Sequence, residues 1–359
     1  MQGQTGCALS PRSVRWDDGR WGCPSTVVGM FDGGSMVRKY TNLELTRDQK
    51  RSIKALCERN NYRGVVSLVS DYVWILAACA LSLKVHPLLY PLSILIIGTR
   101  QRALASLFHD ASHGTLFRFQ GLNRVAGRVF CGWPVMQSML AYRRSHVIAH
   151  HARLGDAVRD PDFRELNDAG VYETPRGPRF FRRFVLSAIG GRLTIRYIKS
   201  LLLSRLSFSS RPNETQIESW LIVAFHVSIA ATAYAYGWLG SLMLFWWIPL
   251  VLVFPLVGWF SELSEHYPFM EAANEWPFSS RNRYSFWVER LFIGMHGDSF
   301  HLTHHLLPGV PHWHLAAATR ILRADRAFAE WDDRWGGIFS SDRKSRVSFI
   351  HFVKTPSTP

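Results

Sequence analysis

Cysteine is scarce in this 359-residue chain: Cys7, Cys23, Cys57, Cys79 and Cys131 are scattered, and none forms a Cys-x-x-Cys pair. That pattern argues against a disulfide framework, a cysteine metal site and an iron–sulfur cluster, and it fits a reducing, cytoplasmic setting. Nucleotide signatures are missing too. No Gly-x-Gly-x-x-Gly follows a strand and no phosphate loop occurs, so direct NAD(P)H binding has no support. The string His-Glu-x-x-His is absent, which sets aside the helical zinc-protease pattern. The opening "MQGQTGCALSPRSVRW" lacks the continuous apolar core of a signal peptide. Acidic residues are in deficit, 27 against 42 Lys and Arg, which leaves a formal charge of +15.

Hydrophobic residues make up 47% of the chain, and they concentrate in blocks with the charge between them, which points to a membrane protein and away from a nucleic-acid binder. Four spans are expected, in two closely spaced pairs. The first is Val65 to Leu83, despite Asp71. The second begins near Pro87, crosses, and continues in more polar form toward Phe108. The third and fourth are Ile217 to Tyr236 and Trp238 to Phe260; the 44 residues from Ile217 to Phe260 carry one charge, Glu218. The connections "KVHP" and Gly237 are so short that everything else lies on one side. Between His109 and Gln216 there are seventeen Arg and Lys against eight Asp and Glu, and positive residues near span ends are retained in the cytoplasm. The bulk of the chain and both termini are therefore expected there. Residues 1–35, rich in Gly, Ser and Pro, are expected to be disordered, and 36–64 to hold a surface helix with Thr46 as its N-cap. Residues 65–315 form the membrane domain and 316–359 a cytoplasmic tail.

Histidine is what the chain has in excess. Nine of its fifteen histidines fall into four groups: His109 and His113; His146, His150 and His151; His266; and His301, His304 and His305. On a helix, residues three or four apart share a face, so each box points two or three ring nitrogens at one place. Neutral imidazole is the commonest protein metal ligand. One such pair alone reads as surface or core histidine. Three boxes and a fourth histidine, all beside span ends on one side of the membrane, read as a metal site, and nine ligands are too many for one ion, so two metals share them. The fold expected is an all-α membrane protein, four transmembrane helices in two hairpins under a cytoplasmic helical cap that holds a dimetal site.

Other residues have weaker signals. His86 reads as interfacial, His226 as a polar residue within a span, His351 as tail, and His296, His312 and His314 as supporting or interfacial residues beside the last box. Asp110, Asp156 and Asp298 either accept the second ring N–H of a ligand histidine or are loop residues and caps. "DPDF" (160–163) reads as a turn, and Trp246 and Trp247 either line an apolar channel or face lipid.

The series HxxxH, HxxxHH and HxxHH around two hairpins, with "HDASHG", "YRRSHVIAHH", "RDPDF" and "HLTHHLLPGVP", resembles the membrane fatty-acid desaturase and hydroxylase superfamily from span one to Leu315. Carried over by motif, the resemblance implies two non-haem iron ions held by His109, His113, His146, His150, His151, His266, His301, His304 and His305. Glu262 stands four residues before His266, where some members have asparagine; a carboxylate there either joins the metal shell or caps the helix at the membrane edge. The second box has three residues between His146 and His150, where many desaturases have two. The resemblance further implies an O2-dependent oxidation of an unactivated C–H bond in a lipid, with desaturation of a fatty acyl chain as the first reading. Hydroxylation or ketolation of an acyl chain or carotenoid is the alternative. The chain has no His-Pro-Gly-Gly segment and no flavin motif, so a separate donor, a ferredoxin or cytochrome b5 type, is expected to dock on the basic face. A membrane metal transporter is a remote alternative, since it would place its ligands inside the spans.

Overall fold

A computed structural model describes residues 43–192, 194–196, 198–199, 213–271 and 278–356 of the chain. The segment 1–35 expected to be disordered, and residues 36–42, lie outside them. Every long element described is helical. Helix α1 (Arg47–Leu56) starts at Thr46, whose hydroxyl accepts from the Gln49 N–H while the Gln49 side chain accepts from the Thr46 N–H, a reciprocal cap that satisfies two otherwise orphaned donors.

Helix α2 (Tyr62–Val85) and helix α3 (Tyr90–His113) form an antiparallel pair joined by His86–Leu89. Their register shows in the pairings Ser82 with Ser93 (Oγ···Oγ 2.6 Å), Ser93 Oγ donating to the Ala78 carbonyl, and Arg100 with Asp71 (3.4 Å). The second histidine box sits on α4, Met139–Tyr142 running into a wide turn over Arg143–His150, and α5 (Pro161–Asp168) follows it. Two further long helices come next, α6 (Asn213–Ala235) and α7 (Leu239–His266).

Among the described residues, three helices are long and apolar enough to cross a membrane: Tyr62–Val85, Glu214–Ala235 and Leu239–His266. The expected span that starts near Pro87 forms α3, but its composition does not match the other three. From Ile97 to His113 only Arg102 and His109 escape full burial, so the helix is surrounded by protein and needs no apolar circumference; Arg100, Gln101 and Asp110 are tolerated on it. Two polar residues within the spans, Glu218 and His226, have defined partners. Glu218, buried, accepts from Ser138 Oγ (2.7 Å) and the Leu140 N–H (2.9 Å) and pairs with Arg128 (3.2 Å). His226 Nε2 lies 2.9 Å from the Trp133 carbonyl, which accounts for it as a structural donor.

The α-helices that follow α7 among the described residues are short: α8 (Trp287–Phe292), α9 (His301–Leu306), α10 (Leu315–Leu322), α11 (Arg326–Asp332) and α12 (Phe349–Lys354). The expected tail is part of the core. Leu322, Phe328 and Trp331 bury against Ile53 of α1 and Leu302 of α9, and Phe349 and Val353 bury against Phe180, Leu263 and Tyr267. Arg281 is enclosed by the same segment. Its guanidinium lies 4.5 Å from the Trp335 ring centroid and 4.6 Å from that of Phe269, and it donates to the Tyr267 carbonyl one residue past His266.

Candidate metal centre

His109 and His113, one turn apart near the C-terminal end of α3, have ring centroids 4.7 Å apart. In a regular α-helix, His146 and His151 of the second box would diverge by about 140°. The wide turn removes that divergence: the His151 N–H donates to the His146 carbonyl five residues back, and the two Nε2 atoms lie 3.2 Å apart. The residue that sets this box apart from the two-residue spacing is thus absorbed by the helix. His266 ends α7, and His301, His304 and His305 lie on α9.

These nine histidines assemble into two clusters. His109, His113, His146 and His151 offer nitrogens within 4.8 Å of one another; so do His150, His266, His301 and His305. His304 joins the first, its Nε2 being 3.2 Å from His151 Nε2 and its ring 4.3 Å from that of His109. The second and third boxes are therefore each divided between clusters, where the spacing alone had each box aimed at one place. The His151 and His305 rings stack at 4.4 Å and join the two clusters.

The nitrogen set fits a pair of metal ions. The edges His301–His266 (2.8 Å), His305–His301 (2.9 Å), His146–His151 and His151–His304 (3.2 Å each) run between Nε2 atoms. Two nitrogens at right angles on an ion with bonds of about 2.1 Å would be roughly 3.0 Å apart. The Nε2 atoms of His109, His113 and His150 are buried without a hydrogen-bond partner, as expected of nitrogens kept for a metal. Burial, then the neighbouring imidazoles, hold His146, His151, His301 and His305 well below the usual histidine range, and burial with His109 does the same for His304, so these rings stay neutral and able to ligate.

Carboxylates fix the outer ring nitrogens. Asp160 lies 2.9 Å from His150 Nδ1, Asp162 lies 3.2 Å from His146 Nδ1, and Glu265 lies 3.4 Å from His301 Nδ1. Burial alone would push the His150 ring down, but Asp160, Asp162 and the Asp160 hydrogen bond hold it up at about 10. Asp160 is held below the usual carboxylate range: burial opposes this, and the attraction and hydrogen bond of His150 outweigh it. None of these three acids stands out in the sequence as a histidine partner. "DPDF" reads as a turn, and the structure corrects that: Asp160 is the N-cap and residues 161–163 begin helix α5.

Asp110, Asp156, Asp298 and His296, which the sequence also singled out, have other tasks. Asp110 accepts from His312 through both Nδ1 (2.8 Å) and backbone N–H (3.0 Å), while His109 Nδ1 is 3.8 Å away. Asp156 closes its own turn by accepting from the Val158 and Arg159 N–H groups. Asp298 pairs with Arg283 (2.6 Å) and Arg102 (3.4 Å), and Arg283 also pairs with Glu265 (2.7 Å). His296 Nε2 is 2.7 Å from Asp71 Oδ2 and not within either cluster. Glu262 Oε1 lies 4.0 Å from His266 Nε2 and has no hydrogen-bond partner, and its carboxylate groups with Glu265 and His266 as a further ligand set.

A cavity of ≈ 1050 Å³, its open mouth included, lies over both clusters. His109, His146, His301 and His304 line its floor, and Phe254, Gly258 and Trp259 of α7 form its apolar wall. Trp246 and Trp247 do not line it; the Trp246 indole donates to the Pro134 carbonyl (3.0 Å).

Residues 86–335 match the family model for fatty acid desaturase. A dihydrorhizobitoxine desaturase of Bradyrhizobium elkanii is 34% identical over 321 residues, 88% of this chain and 91% of that protein. Two plant proteins are 24% identical over 73% of this chain: an endoplasmic-reticulum omega-3 fatty acid desaturase of Nicotiana tabacum, covered over 72%, and an acyl-lipid omega-3 desaturase (cytochrome b5) of Arabidopsis thaliana, covered over 71%.

Proposed function

The chain belongs to the fatty acid desaturase family and is an oxidoreductase, and on that premise we propose that it inserts a carbon–carbon double bond, using O2, at two irons held by its nine clustered histidines. The observation that carries this reading is the pair of histidine clusters, in contact with each other beneath one cavity. Two irons supply an oxidant strong enough to remove hydrogen from an unactivated C–H bond. The overall change is –CH2–CH2– plus O2, two electrons and two protons giving –CH=CH– and two waters. The sequence shows no flavin, cytochrome b5 or cysteine-cluster motif, and this reading takes the electrons from a separate donor; the name of the Arabidopsis relative specifies cytochrome b5.

The side chains hold and shield. Asp160 and Asp162 accept ring N–H protons and so turn Nε2 of His150 and His146 inward, and Glu265 stands 3.4 Å from Nδ1 of His301. Phe254 and Trp259 keep water from one wall of the cavity. Helix α3 crosses the membrane with α2 as the first hairpin, α6 and α7 form the second, and the clusters lie at the cytoplasmic ends of α3 and α7. A lipid acyl chain reaching the cavity from the bilayer past Phe254 is the first substrate reading.

The lining favours a second substrate reading. Arg102, Ser106, Gln137, Glu165 and Glu262 face the cavity, which suits a polar molecule. The Bradyrhizobium relative is named for dihydrorhizobitoxine and not for a fatty acid. Both readings share one test. Purified protein should contain about two irons per chain, given ligand sets for two ions; a single zinc overturns the centre. Cells expressing the protein should accumulate an unsaturated product, in the lipid or in the polar extract, that disappears in His304→Ala. An unchanged product in that variant overturns the assignment of the last box.

A further inference from the structure

Short helix α8 and its N-cap residue expose Phe286, Trp287, Val288 and Leu291, at 53%, 59%, 40% and 36% of their surface, and no apolar partner among the described residues covers them. The loop that packs beside it adds Phe339, 51% exposed. The two are one unit. The Glu289 carboxylate accepts from the backbone N–H groups of Ile338 (2.5 Å), Phe339 (3.0 Å) and Ser340 (2.8 Å) and from Ser340 Oγ (2.8 Å), so the acid faces inward while its neighbours face out. Phe339 rests its ring 5.6 Å from that of Phe260 on α7.

The depth of this patch follows from contacts with the first hairpin. Helix α2 exposes apolar side chains from Val65 to Val85, a stretch of about 30 Å at 1.5 Å per residue, the thickness of a bilayer core. Asp71 and Trp74 lie six and nine residues along it, roughly 9 and 14 Å from the Val65 end. The Arg100 guanidinium is held at that level by Asp71 (3.4 Å) and by the Trp74 ring (5.5 Å), and it donates to the Leu291 carbonyl of α8. An exposed apolar helix is thereby fixed well inside the hydrocarbon belt of α2. Arg290 is the exposed charge on α8, and its stem can lie along the apolar surface with the guanidinium turned toward the headgroups.

We propose that α8 and the Phe339 loop form an apolar wedge embedded in the cytoplasmic leaflet, with lipid acyl chains as its partner. Two residues past Phe292 the chain turns through Gly294 to His296 and Gly297, which line the cavity, so the wedge sits where the site meets the bilayer. The inference rests on the membrane reading of α2 and α3.

The test uses the full chain in phosphatidylcholine vesicles, with an environment-sensitive maleimide dye on Val288→Cys, on Phe339→Cys and, for the span, on Val73→Cys; labelled wild type gives the cysteine background. Nitroxide groups midway along the lipid acyl chains should quench positions 288, 339 and 73 at least severalfold more than aqueous iodide does. Iodide quenching at 288 and 339 with lipid quenching at 73 overturns the wedge alone. Protection from both quenchers at 288 and 339 also overturns it, in favour of a protein contact. Iodide quenching at 73 overturns the membrane reading and the wedge with it.

Discussion

Asp160 receives four hydrogen bonds, from His150 Nδ1 and from the backbone N–H groups of Gly155, Asp162 and Phe163, all between 2.9 and 3.2 Å. A carboxylate held this way cannot turn away from the ring it orients. Asp160→Asn keeps the size and removes the charge, and it should lower iron retention or turnover by about 10- to 100-fold. Asp156→Asn, a few residues away in a solvent-facing turn, should leave both unchanged. Iron content per chain and product yield measured side by side decide it; equal behaviour of the two variants would reduce Asp160 to a helix cap. At this scale the sequence showed the ring nitrogens and hid their partners. A histidine box announces itself by repetition, whereas the bond from residue 150 to residue 160 exists only because the intervening loop folds back on the helix.

The helices position the site through close approach. Gly98 of α3 passes α7 so tightly that a methyl group there would lie 2.3 Å from Val253 Cβ. Gly98→Val should therefore force α3 away from α7 and cost about 1–3 kcal/mol as overpacking. Thermal unfolding in detergent should show a lower midpoint than wild type, with iron content falling as well, since α3 carries His109 and His113 and α7 carries His266. A wild-type midpoint would mean that the two helices are not in contact there. The wide turn in the second box works at the same scale. His146 and His151 stand five residues apart, a separation that an ideal helix would turn to different faces. The extra residue per turn that reunites them is a property of the backbone that side-chain spacing does not reveal.

The whole molecule is closed by its own C-terminal segment. Phe349 is 2% exposed and stands in the core with Leu263 and Tyr267, and Arg281 joins it to Trp335 and to the end of α7. Phe349→Ala should destabilise the protein by about 3–5 kcal/mol through the cavity it leaves. It should also release iron although it touches no ligand, because the helix end that bears His266 loses its support. Thr355→Ala, at an exposed position just past the end of α12, serves as the unperturbed control. Unfolding midpoint and iron content followed together check this; loss of neither would return residues 316–359 to the status of a tail.

Local composition determined the histidine inventory and the apolar helices: imidazoles at helical spacing, and runs of about 20 residues that water does not favour, are properties of short stretches of chain. Contacts between distant residues decided the rest. They divided the second and third boxes between two clusters, assigned Asp160, Asp162 and Glu265 to ring nitrogens, gave Asp110 to His312 and Asp298 to arginines, and packed Leu322, Phe328, Trp331, Phe349 and Val353 of the expected tail into the core. Each of those outcomes depends on which elements pack side by side, and burial, by making an unpartnered charge or N–H costly, is what favoured those pairings.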